Sequence, residues 1–172
     1  MRRALLLLLL VPCLEPSLLH GKDRNRLDIS VVAAMQPECP LSVSGIEILP
    51  NNKAYGAAVY NSAKVKVTEY EIHWIAAVPA GCSSKGRSHR SSLSRTVHAT
   101  VAPESSVTHP AARVQTSELE KIAGRMGSDH LHVQVGVARI RFENGSSWEA
   151  ENDEEIFTPS LVQESEKCQA VE

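Results

Sequence analysis

His130 and His132 are the most chemical-looking pair in the chain. Two residues apart on a strand, their imidazoles point to one face. With His73 or Asp129 as a third ligand they could hold zinc or copper, both of which accept imidazole nitrogen. The plainer reading is two exposed histidines at a strand end, in a chain that carries seven. Serine nucleophiles are plentiful, but none sits in the G-x-S-x-G turn that exposes such a group, and Ser83 to Ser94 is low complexity rather than an elbow. Glu149 to Glu155 holds carboxylates that could serve glycoside hydrolysis or calcium, yet the spacing matches no calcium loop and reads as a solvated turn. There is no phosphate-binding loop and no dinucleotide-binding glycine motif. The expectation is a protein without cofactor and without enzymatic activity.

Lys85, Arg87, His89, Arg90 and Arg95 make a basic stretch that could touch anionic lipid, polysaccharide or nucleic acid. No aromatic residue is interleaved, so base stacking lacks its platform, and the plainer reading is a solvated loop that keeps the sheet soluble. A net charge of −2 over 172 residues also argues against nucleic acid as the main partner. Asn144-Gly145-Ser146 fits a glycosylation sequon but reads first as turn chemistry.

The chain begins with the parts of a secretory signal: Arg2 and Arg3, an apolar run from Ala4 to Val11, then Pro12 and Pro16. That run is too short to span a bilayer, which takes roughly 20 residues, and no other segment is a transmembrane candidate. Processing is expected after Gly21, giving a secreted or periplasmic protein. Cys13 stands where a lipoprotein cysteine would, although Pro12 before it is unfavourable for that modification. Residues 22–39 read as a leader, 40–158 as the folded domain and 159–172 as a polar tail. Within the leader, Leu27 to Met35 is apolar and could be a short strand, a helical turn or simply a lead-in.

These groups must be positioned by strands. Leu41 and Val43 alternate, then Ile46 and Ile48 continue with the phase shifted at Gly45, which predicts a bulge. Residues 53–61 form a second strand after the turn Pro50-Asn51-Asn52. In a long third strand, 64–78, Tyr70, Ile72, Trp74, Ala76 and Val78 share a face, while Val65 and Val67 require an irregularity near Thr68-Glu69. Gly81 to Ser94 reads as a flexible loop, and Thr96 to Val101 as a short strand. Ser117 and Glu120 match a capping box opening a helix over about 117–126, with Gly127 as its stop. His130 to Phe142 is the strongest strand, with Val133, Val135 and Val137 on one parity and Ile140 and Phe142 on the other, so a bulge is expected at Ala138-Arg139. Asn144-Gly145 then turns the chain into a partner strand carrying Trp148.

About seven strands, one short helix before the penultimate strand and frequent turns favour an all-β antiparallel sandwich over a parallel α/β sheet. With Trp74 inward in the third strand and a tight terminal hairpin, the pattern resembles the immunoglobulin fold. The segments Val59-Tyr60-Asn61-Ser62 … Trp74 and Val135-Gly136-Val137 … Ile140 to Trp148 are similar to small exported bacterial proteins of uncharacterised function. That resemblance covers roughly residues 40–150 and implies an immunoglobulin-like sandwich. It rests on hydrophobics and turns and carries no catalytic signature. The core is expected to hold Trp74, Ile72, Val135, Val137, Ile140, Phe142 and Trp148.

Export permits disulfides. If strand 130–142 runs antiparallel to 64–78, Cys82 and Cys168 emerge at the same end of the sandwich and Cys39 at the other. A Cys82–Cys168 bridge is therefore expected, worth about 4 kcal/mol by the entropy of loop closure, with Cys39 unpaired. The functional expectation is an exported, non-enzymatic binding or accessory module that meets a protein or cell-envelope partner through surface contacts. The alternative is a periplasmic metal-binding protein using the strand histidines.

Overall fold

The computed structural model describes residues 27–78 and 89–151. Strands β1 (Asp28–Ala33), β2 (Leu41–Ile48), β3 (Ala54–Asn61), β4 (Val67–Val78), β5 (His89–Val97), β6 (Ser105–Thr108) and β7 (Val114–Gln115) precede helix α1 (Thr116–Met126). Strands β8 (His130–Phe142) and β9 (Ser147–Glu149) follow it. One sheet has the order β1-β8-β4-β5, with β9 also on β8; the other has the order β2-β3-β6, with β7 also on β3. Leu41, Val43, Ala57 and Val59 of the second sheet join Ile72, Trp74, Val133 and Val135 of the first in one buried cluster. The chain is thus mostly β, two sheets around an aliphatic interior, closed along one side by α1.

The three phase slips read from the hydrophobic pattern are bulges in the pairing. The β2–β3 register shifts between Val43 and Gly45. The β4–β8 register shifts between Val67 and Glu69, and again where Ile72 faces Val137 while Glu71 faces Arg139, leaving Ala138 unmatched. Each inserted residue restores the inward parity, so Val67, Val137 and Ile140 are all fully buried. Trp74, Ile72 and Val135 are fully buried as well, while Phe142 and Trp148 are half-buried against the same cluster. The indole N–H of Trp74 donates to the Ala112 carbonyl at 3.2 Å, in the 3-10 turn Pro110–Ala112. Ile48, opposite Tyr55 at the end of β2, is 64% exposed.

Several expectations are corrected. Residues 89–94 are not loop: β5 pairs with β4 along its whole length, from Val78–His89 to Tyr70–Val97. The signal was hidden because an edge strand with one polar face needs few apolar residues, and Ser92, Ser94 and Thr96 are its exposed set. Part of the segment read as a leader is β1, which pairs with β8 in parallel, Asp28 opposite His130 to Ala33 opposite Val135. The described chain therefore has nine strands, not about seven, and they are not all antiparallel.

Helix α1 opens two residues before the expected box. The Gln115 backbone N–H donates to Glu118 Oε2 at 2.9 Å, so Glu118 and not Glu120 closes the first turn. The other oxygen of Glu118 takes Arg95 Nη2 at 2.6 Å, tying β5 to the helix. Leu119, Ile122, Ala123 and Met126 are buried, and Gly127 ends the helix at φ 68°. In the last hairpin only Gly145 takes positive φ. The Gly145 N–H donates to Phe142 O, and the Phe142 N–H to Ser146 O, so Glu143-Asn144-Gly145 is a three-residue turn rather than a two-residue one.

Candidate binding cleft

Strand β8 is covered on one edge by two short strands with a gap between them. β1 reaches Val135, and the Ala34 N–H donates to the Val135 carbonyl at 2.8 Å. β9 begins its pairing at Arg139, with the Ala150 N–H donating to Ala138 O at 2.9 Å. Between them lies Val137, and its backbone is met by a side chain. The Gln36 carboxamide donates from Nε2 to Val137 O at 2.8 Å and accepts from Val137 N at Oε1, also 2.8 Å. A side-chain amide here stands in for the peptide group that a continuous edge strand would supply.

A cleft of about 390 Å³ opens at this gap. Its apolar walls are Met35, 83% exposed, and the half-buried Trp148, which sits opposite Ile140. Glu38, Glu149 and Glu151 also line it, and no described lysine or arginine does. Cys39 borders the cleft from inside the core. Its thiol donates to Leu41 O at 3.0 Å, and burial pushes its pKa up to about 11, so it is a neutral thiol and not a nucleophile at ordinary pH. A second cleft, about 480 Å³, lies between Leu27, Tyr55 and the helix start at Thr116, where the described chain begins.

A polar cluster among the described residues lies elsewhere, on the outer face of the first sheet. The Ser94 hydroxyl donates to Glu71, His73 Nε2 lies 3.1 Å from the same carboxylate, and Arg139 Nη2 meets it at 2.6 Å. The Ser94 hydroxyl bond, joined by those to His73 and Arg139, overcomes desolvation and holds Glu71 down at about 2. Serine, histidine and carboxylate are thus adjacent but in the wrong order for nucleophilic catalysis. An activated serine gives its proton to an imidazole, whereas Ser94 gives its hydrogen bond to the carboxylate.

The candidate metal ligands do not converge. His132 faces Ala77 on β4, while His73 faces Gly136, four residues further along and so about 13 Å away. His130 lies beyond both, 3.6 Å from each of Asp28 and Asp129. No group of three or more potential ligands gathers among the described residues. Two histidines on one strand share a face by parity alone, but a third ligand depends on register between strands, which spacing along one strand does not reveal. Cys39 is free and buried, while Cys82 and Cys168 lie outside the described residues, as do Lys85, Arg87 and the signal segment. No described helix is long and apolar enough to cross a membrane.

Of the cleft residues, the sequence marked Trp148 as core and Glu149 to Glu155 as acidic turn, but gave Gln36 and Met35 no role. The only signal in the sequence was the isolated Met35-Gln36-Pro37-Glu38, an apolar residue followed by chain-breaking ones. Comparison with protein-family models, with characterised proteins and with solved structures finds no match to this chain.

Proposed function

We propose that this chain is an exported, non-enzymatic binding module that acts through surface contacts in the secreted or periplasmic space, with the cleft beside Trp148 as its contact site. One observation carries the reading: an exposed methionine and a half-buried indole flank an acid-rimmed opening at the break in a sheet edge. Ligand sites combine an apolar lining with a few polar groups in a concave setting, and exposed methionine suits adaptable contacts. Export is supported by the basic start and leucine run of residues 1–21. An immunoglobulin-like sandwich akin to small exported bacterial proteins is supported by Trp74 buried on a central strand and by the tight β8–β9 hairpin. A Cys82–Cys168 bridge belongs to the same reading, and peptide mapping without reductant checks it.

The test is site-specific photo-crosslinking in the native exported fraction. A photoreactive residue at Met35 should give a discrete adduct, and one at Lys121, exposed on α1, should not. Equal labelling at both positions, or none at Met35, would remove the cleft as the contact site.

A further inference from the structure

We propose that the cleft takes an extended segment of a partner polypeptide through one basic side chain, lysine or arginine, flanked by apolar residues. This rests on the binding reading above and names its ligand class. Three observations converge. The lining carries acidic residues from both sides of the gap, Glu38 before β2 and Glu149 in β9, and holds no lysine or arginine among the described residues. Arg139 faces Glu149 across the ladder, but its guanidinium is bonded to Glu71 at 2.6 Å, so the cleft stays net acidic. The Trp148 indole and the Met35 thioether give the aliphatic stem of a lysine or arginine an apolar bed, while the indole face attracts its charged head. The Val137 N–H and C=O, the one ladder position between β1 and β9 held by a side chain, are bonded by Gln36.

That last point makes the occupant a polypeptide rather than a small amine. An incoming backbone amide can replace the Gln36 carboxamide one for one, exchanging an amide pair for an amide pair, so displacement leaves no buried group unmet. The volume, about 390 Å³, lies at the lower end of the roughly 300–1,000 Å³ spanned by ligand sites. It suits one long side chain and its neighbouring backbone.

The experiment uses the full chain and its tryptophan emission, since Trp74 is fully buried while Trp148 borders the cleft. The probes are blocked pentapeptides Val-Thr-X-Val-Thr with X as lysine, glutamate or norleucine. The lysine peptide should shift Trp148 emission saturably, and its affinity should fall about tenfold between about 20 and about 300 mM salt. The glutamate peptide should give no saturable shift, and norleucine should bind at least about tenfold more weakly than lysine. The double variant Glu38→Gln and Glu149→Gln, both at exposed positions, should lose about tenfold for lysine and nothing for norleucine. Gln36→Ala, which frees the Val137 ladder groups, should tighten the lysine peptide severalfold. Charge-independent binding, an unaffected double variant, weakened binding by Gln36→Ala, or no saturable shift with any peptide would each overturn the proposal. If the crosslink at Met35 persists in that event, the ligand class falls and the binding module stands; if both are lost, both fall.

Discussion

Asn61 offers the sharpest test of how the two sheets are held together. Its side chain is completely buried at the end of β3. Nδ2 donates to three carbonyls, Val65 at 3.0 Å, Val101 at 3.1 Å and Ala102 at 3.3 Å, and Oδ1 accepts from the Ala63 N–H at 3.0 Å. Its backbone carbonyl takes the Glu104 N–H at 2.8 Å. One residue thus fastens the β3–β4 turn to the chain leading into β6. Asn61→Asp preserves shape and the Ala63 contact but replaces a donor facing three carbonyl oxygens with an acceptor. When the new carboxyl is protonated it can still donate to one carbonyl, so at low pH the loss is about 1–2 kcal/mol, one to two net hydrogen bonds. When ionised it is a buried charge facing oxygen dipoles, and the total loss should reach about 3–5 kcal/mol.

The pH dependence has a definite sign. Aspartate at position 61 has its folded-state pKa raised above the unfolded value of about 4. The stability that comes with its proton is complete below that value and is lost as pH rises through the folded-state pKa, each tenfold gain in proton affinity on folding contributing about 1.4 kcal/mol. Urea denaturation followed by tryptophan emission, between about pH 3 and pH 8, measures this directly as the difference between Asn61→Asp and the parent chain. A difference below about 1 kcal/mol at neutral pH, or one that does not grow with pH, would show that the Asn61 carbonyl network is not what holds this junction.

Tyr70 is fully buried, its hydroxyl has no hydrogen-bond partner among the described residues, and burial pushes its pKa up to about 12. Tyr70→Phe should therefore be neutral or stabilising by up to about 1 kcal/mol in the same urea assay. Glu71, held at about 2, contributes stability that is complete above the usual glutamate range and is lost as pH falls through about 2. Glu71→Gln should flatten the part of the acid-unfolding curve below about pH 4.5, and an unchanged curve would refute its role. Cys39, buried with its thiol raised to about 11, should resist maleimide in the folded chain and react quickly in urea, as mass spectrometry of the Cys39 peptide would show.

The parts of the fold legible in the sequence are those carried by side-chain parity. Val133, Val135 and Val137 against Ile140 can share one face only if a residue is inserted, so the bulge at Ala138 followed from the pattern, as did those near Gly45 and Thr68. The helix stop at Gly127 and the burial of Leu119 and Ile122 were equally local. Strand β5 was illegible because its serines satisfy an edge strand's one wet face as well as they would a loop. The cleft was legible only in pieces. Trp148 and the acidic residues after it were visible, but Gln36 meets Val137 across 101 positions of sequence.

Composition and periodicity alone therefore settled that the chain is mostly β, which residues of β4 and β8 face inward, and that the pattern slips by one near Gly45, Thr68 and Ala138. Tertiary structure decided which strands lie side by side: that β1 joins β8 in parallel, that β9 joins the same edge farther along, and that the opening between them is spanned by an amide and rimmed by carboxylates. The physical reason is that a side chain's facing depends on its own strand, whereas a gap in a ladder exists only once separate strands have been set against a common neighbour.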